Sequence, residues 1–187
     1  MKPYIILVGG IPASGKTTYA RHIAGKLGIP FISKDAIKEN LYEALLWDTS
    51  VRENSKLYGY ASYKVLFHIL DSLMQAGVSF VAESNFITAA MDALLPMVEQ
   101  YGYRALTVLM DADLDVLCKR FNDRDKTDQR HPGLVMATTL TGFTDEEASL
   151  FRDFCVGDKI VVDTTDLASL DYTKADTDII DFIGGRK

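Results

Sequence analysis

Gly9-Gly10-Ile11-Pro12-Ala13-Ser14-Gly15-Lys16-Thr17-Thr18 follows directly on the apolar run Tyr4-Ile5-Ile6-Leu7-Val8. A short apolar run of that kind reads as a buried strand. Residues 10–17 match G-x-x-x-x-G-K-[ST] between that strand and a helical pattern, which is the setting a phosphate-binding loop requires. Glycines let successive N–H groups turn inward on a phosphate chain. The positive end of the following helix strengthens that field. The expectation is that Gly10, Ile11, Pro12, Ala13, Ser14, Gly15, Lys16, Thr17 and Thr18 hold the phosphates of a nucleotide. Lys16 is expected to reach the β- and γ-phosphates and the Thr17 hydroxyl to ligate Mg²⁺. The competing reading is a plain glycine-rich turn, which does not account for Lys-Thr after the second glycine.

Beyond this loop, four more apolar runs recur at helix-length intervals: Gly28–Ile32, Val78–Ala82, Ala105–Met110 and Lys159–Val162. Continuous apolar strands suit a parallel sheet covered on both faces. Thr17–Leu27 carries Ala20, Ile23, Ala24 and Leu27 at helical spacing, with Gly28 as its stop. Val51–Gln75 offers Leu57, Ala61, Val65, Ile69 and Leu73 as one apolar face. Thr144 with Glu147 reads as a capping box, and Pro96 predicts a split or kink within Thr88–Tyr101. Strands alternating with helices predict an α/β fold: three layers, a five-stranded parallel sheet with helices on both faces, and a helical lid.

At 187 residues with 48% hydrophobic and 25% charged positions, the chain reads as a single domain over 1–187. A net charge of −6 argues against a nucleic-acid or anionic-membrane surface. Cys118 and Cys155 form no disulfide framework, and His22, His68 and His131 show no metal-ligand spacing. No apolar run is long enough to span a membrane, and the N-terminal run is too short for a signal peptide. The expected compartment is the cytoplasm.

A phosphate loop does not name the acceptor. Open α/β sheets bind ligands at the carboxyl ends of their strands, so the deciding residues should lie there. Asp35, in Ser33-Lys34-Asp35-Ala36-Ile37-Lys38, would face the loop and could take a proton from a substrate hydroxyl, although helix-cap duty explains it equally well. Phe80-Val81-Ala82-Glu83 has the pattern of a strand ending in a Mg²⁺-holding acid, here Glu83, with Asn85 following as a candidate substrate contact. Arg120 and Arg124, four apart on one predicted helix face, suit a triphosphate and the charge on a moving phosphoryl group. The polar stretch after them, through Thr127 and Gln129 to Arg130-His131-Pro132-Gly133, reads as part of a lid over about 119–142.

Together GGIPASGKTT, SKDAIKENLY, VAESN and the arginines Arg120 and Arg124 resemble the small P-loop kinases grouped with phage polynucleotide 5′-kinase, the zeta-toxin kinases and chloramphenicol phosphotransferase. The resemblance covers nearly the whole chain. It implies ATP and Mg²⁺ as cofactors, Asp35 as general base, and catalytic roles for Lys16, Arg120 and Arg124. Two positions depart from the pattern. Lys38 stands where the polynucleotide kinases have an acceptor-contacting arginine, and the strand-end acid is Glu83 where aspartate is commoner.

The leading expectation is transfer of the γ-phosphate of ATP to a hydroxyl of a small-molecule acceptor. A polynucleotide or nucleoside 5′-hydroxyl kinase, and an ATPase switch without an acceptor, are the alternatives. No Asn-Lys-x-Asp is present to read guanine.

Overall fold

Each apolar run becomes a strand, and each strand runs parallel to its neighbours. The computed structural model describes residues 2–126, 130–134 and 141–185. Its sheet contains β1 (Tyr4–Gly10), β2 (Phe31–Ser33), β3 (Phe80–Glu83), β4 (Arg104–Asp111) and β5 (Asp158–Asp163), in the order β2-β3-β1-β4-β5. The helices are α1 (Lys16–Leu27), α2 (Lys34–Leu45), α3 (Arg52–Gln75), α4 (Met91–Gln100), α5 (Leu114–Asp125), α6 (Asp145–Arg152) and α7 (Thr173–Gly184). Single 3-10 turns lie at Thr88–Ala90 and Pro132–Leu134.

The pleat of β1 explains the layers. Ile6 and Val8 face α1 and α7, packing on Tyr19, Ala20, Ile23 and Ile179. Ile5 and Leu7 point the other way, onto Leu66, Leu70 and Met74 of α3 and Leu94 of α4. All four β1 side chains are fully buried, and each such burial contributes about 1.5–3 kcal/mol. The expected fold, a five-stranded parallel sheet with helices on both faces, is the observed one.

Three local expectations are corrected. First, Gly28 does not open a strand. It caps α1 in the left-handed region with φ 64°, so β2 starts at Phe31. Second, the buried line of α3 lies one residue on from the expected stripe, at Ser62, Leu66, Leu70 and Met74. Leu57 and Val65 are 60% and 39% exposed. Ser62 disguised the true stripe, because its hydroxyl donates to the Tyr58 carbonyl at 2.6 Å and so tolerates burial. Third, α4 runs through Pro96 unsplit. Pro96 and Asp92, whose carbonyl loses its helical donor there, are both exposed, so water can satisfy the freed group. The Thr144–Glu147 capping box forms as expected at the start of α6.

Candidate phosphate-transfer cleft

The carboxyl ends of β1, β2 and β3 converge, and the loop 10–15 closes over them. Gly10 has φ 138°, and a Cβ there would lie 2.1 Å from the Met110 carbonyl oxygen of β4. Only glycine fits such an approach. Gly15 caps α1 with φ 84°. Ala13 holds φ 69° without being glycine, a strain on the order of 1–2 kcal/mol. That strain is carried by packing and by a buttress. Ile11 is buried against Ala112, Leu117 and Ala148, and the buried Thr164 donates to the Ser14 carbonyl at 3.2 Å.

Lys16 folds back on the loop, donating to the Ile11 carbonyl at 2.8 Å. It is only 5% exposed. Burial pulls its pKa down to about 8, opposed by the negative charges of Glu83 and Asp35.

Across the cleft, Ser33 pairs in register with Glu83. Its hydroxyl donates to Glu83 Oε2 at 2.7 Å and also caps α2, accepting from the Ala36 N–H. Burial raises the Glu83 pKa, against the opposing pull of Lys16 and the Ser33 bond. Asp35 sits in the first turn of α2. Burial pushes its carboxyl up, but the Lys34 ammonium 2.6 Å away, with Lys16 and Arg130, outweighs that and holds it below the ordinary range. Lys38 is buried and donates to Ser55 Oγ of α3 at 2.9 Å. Burial lowers its pKa, and Lys34 adds to the effect.

A cleft of about 610 Å³ brings Lys16, Thr17, Asp35, Lys38, Glu83, Asn85 and Arg124 together, and Pro12, Ala13, Gly15 and Thr18 also line it. Arg120 does not belong to this lining. Its Nη2 donates to the Thr165 carbonyl beyond β5 at 2.9 Å, and its buried Nη1 has no hydrogen-bond partner among the described residues. Helical spacing put both arginines on one face, and the fold gives them different surroundings.

Several lining residues escaped the sequence reading. Lys34 was read only as a neighbour of Asp35. Arg52 and Lys56 enter because the first turn of α3 meets α2 at the Lys38–Ser55 bond. Arg130 lines the cleft with its guanidinium 5.6 Å from the Phe121 ring centre. Its place in the polar stretch after Arg124 was the one available signal.

Of the expected lid over 119–142, residues 127–129 and 135–140 lie outside the described residues, Thr127 and Gln129 among them. The described turn Pro132–Leu134 rests on α2. His131 Nε2 lies 2.9 Å from Glu43 Oε1, and a Cβ on Gly133 would meet Tyr42 Cβ at 2.8 Å.

Among the described residues no three His, Cys, Asp or Glu side chains gather as metal ligands. Scattered oxygen donors line the cleft instead, among them the hydroxyl of Thr17 and the carboxylates of Glu83 and Asp35. Thr17 and Glu83 offer the hard oxygen donors that suit Mg²⁺, which keeps waters and phosphate oxygens as its other ligands.

The sheet order and loop point to a family, and comparison with known proteins names it. A family model described as an AAA domain, AAA_33, matches residues 5–144. The chain belongs to the AAA_33 family. Among curated proteins, a shikimate kinase of Ruegeria pomeroyi is 26% identical over 124 residues, covering 64% of this chain and 57% of that protein. The match therefore spans little more than half of that relative's length. Among solved structures, a Chloroflexus aurantiacus protein described provisionally as a kinase is 28% identical, with a TM-score of 0.80 over 96% of this chain and 97% of that one. The APS kinase of Mycobacterium tuberculosis, seen with AMPPNP and APS, has a TM-score of 0.58 at 14% identity, covering 98% of each chain. At that identity the likeness is one of fold. Among the described residues no helix is long and apolar enough to cross a membrane.

Proposed function

We propose that this AAA_33 protein is an ATP-dependent phosphotransferase that moves the γ-phosphate of ATP to a hydroxyl of a small-molecule acceptor. One observation carries the reading: Asp35 faces the same cleft as Lys16 and Thr17 of the phosphate loop. An ATPase switch has no use for a half-buried carboxylate held ionised in the same cleft as its phosphate loop. The family membership, the shikimate kinase relative and the kinase fold of the solved neighbours agree with the reading. Within the family, the SKDAIKENLY and VAESN segments favour the group of polynucleotide 5′-kinase, zeta-toxin and chloramphenicol phosphotransferase kinases.

Lys16 exchanges the Ile11 carbonyl for phosphate oxygens when nucleotide binds. Thr17, and Glu83 directly or through water, would hold Mg²⁺, which would supply positive charge against the phosphates. Asp35 is ionised at neutral pH, so it can orient the acceptor hydroxyl and take its proton. The acceptor oxygen bonds to the γ-phosphorus as the bond to the β-phosphate oxygen breaks, and ADP leaves. Arg124 offsets charge on the transferring group. Arg120 braces the segment after β5, whose Thr164 supports the Ser14 carbonyl of the phosphate loop.

The test is an ADP-release screen of nucleosides, sugars, aminoglycosides and short 5′-hydroxyl oligonucleotides. Acceptor-stimulated release is expected from the wild type and none from Lys16→Ala. Asp35→Asn should lose about 10²–10⁴-fold in transfer, as removal of a general base typically does, while keeping ATP affinity. Transfer within a few-fold of wild type in Asp35→Asn would reduce this residue to a helix cap.

A further inference from the structure

The acceptor end of the cleft is far more basic than the chain around it. The protein carries a net charge of −6, yet Lys34, Lys38, Arg52, Lys56 and Arg130 line this end, against the carboxylates Asp35 and Glu83. Asp35 already pairs with Lys34, and Glu83 accepts from Ser33. The geometry behind the excess is specific. Lys34 and Lys38 are four apart on α2 and share a face, as do Arg52 and Lys56 on α3. The bond from Lys38 Nζ to Ser55 Oγ pins the two faces together. Among the described residues Lys38, Arg52 and Lys56 form no ion pair, and Lys38 is only 8% exposed. A buried ammonium whose partner is a neutral hydroxyl is costly unless the site's working ligand brings a negative charge.

We propose that the acceptor is a small hydroxyl compound carrying its own anionic group, a carboxylate or a phosphate, received by Lys38, Arg52 and Lys56 while its hydroxyl meets Asp35. The inference rests on the phosphotransferase reading for the hydroxyl but not for the anion. ATP does not explain these cations, since its phosphates fall to the loop, Lys16 and Arg124. A nucleic-acid chain is a poorer fit, because such a ligand needs basic groups along its track. Here acidic residues share the elements that carry the cations: Glu39 and Glu43 on α2 and Glu53 in the first turn of α3.

The experiment compares matched probes: neutral polyols and sugars, their aldonates, their monophosphates, and a 5′-hydroxyl dinucleotide. Each is measured for ADP release and, by calorimetry, for binding to the full protein saturated with a non-hydrolysable ATP analogue. Aldonates or monophosphates should bind and react roughly 10- to 100-fold better than the neutral member of their set, in line with one or two charge-assisted bonds. That ratio should collapse to a few-fold in Lys38→Gln. It should also fall in Arg52→Gln/Lys56→Gln, whose exposed positions spare the fold. Tight anion binding that these variants abolish, with no turnover of any probe, would keep the anion site and sink the phosphotransferase reading. Neutral members reacting best, a ratio that survives both variants, activity confined to the dinucleotide, or no anion binding at all would each overturn the anionic-acceptor inference.

Discussion

The two ends of the cleft are built in opposite ways. The phosphate end comes from one contiguous stretch, Gly10–Thr17, whose conformation is set by backbone geometry: φ 138° at Gly10, 69° at Ala13 and 84° at Gly15. The acceptor end is assembled from side chains on α2, on the first turn of α3, beyond β3 and near the turn Pro132–Leu134. A triphosphate is the same ligand in every protein that binds it, so a rigid backbone cradle can be written as a local motif. An acceptor differs between enzymes, and side chains on separate elements can change one at a time. The difference predicts that damage to the first end is structural and severe, and that damage to the second is graded.

The sharpest way to break that contrast is to add one methyl group at each end. At Gly10 the new Cβ would collide with the Met110 backbone at 2.1 Å and sit at φ 138°. Gly10→Ala should cost on the order of 3–5 kcal/mol, lowering Tm and abolishing nucleotide binding together. At Gly133 the backbone needs no glycine, and the nearest obstacle is Tyr42 Cβ at 2.8 Å. Gly133→Ala should cost about 1–3 kcal/mol by overpacking, felt as weaker docking of this turn on α2, with ATP affinity retained. Equal losses of nucleotide binding in the two variants would contradict the division.

A smaller effect separates the two arginines that sequence spacing made equivalent. Arg124 lines the cleft and Arg120 is tied to Thr165. Arg124→Ala should lower kcat by about 10²-fold with the KM for ATP nearly unchanged, as removal of transition-state charge stabilisation does. Arg120→Ala should instead raise the KM for ATP by up to about tenfold, with kcat within a few-fold, because it frees a buried anchor worth roughly 1 kcal/mol. The reverse pattern would assign the transferring phosphate to Arg120.

What was legible in the sequence follows the same division. The strands, the loop and the capping box are signals carried within a dozen residues, and all three formed. The buttress from Thr164 to Ser14 joins residues 150 apart, and nothing near either position announces it. The α3 stripe was misread by one residue because a self-satisfied serine occupies its buried line. The resemblance made Lys38 a candidate acceptor contact, but its burial and its link to Ser55 depend on how α2 meets α3. Local rules reach the nucleotide, whereas the acceptor depends on packing between elements.

The mildest test uses pH and touches Lys16 alone. In the ligand-free protein its pKa lies near 8 because burial disfavours the ammonium. A bound triphosphate places negative charge beside it and must raise that pKa. The complex then holds more protons than the free protein at pH values above about 8, so linkage makes ATP affinity fall as pH rises through that range, by up to about tenfold per pH unit. Well below pH 8 the lysine is charged in both states and contributes no slope. Calorimetry at pH 8.5–9 in buffers of different ionisation enthalpy should record proton uptake approaching one on binding, and Lys16→Met should abolish it. The acceptor end offers the comparison, since burial also lowers the pKa of Lys38, yet its ammonium is held by Ser55 and not by the loop. Lys38→Met should leave the uptake on ATP binding intact. Uptake that disappears with Lys38 and survives loss of Lys16 would move the nucleotide's phosphates to the wrong end of the cleft, and the division between the two ends would fail with it.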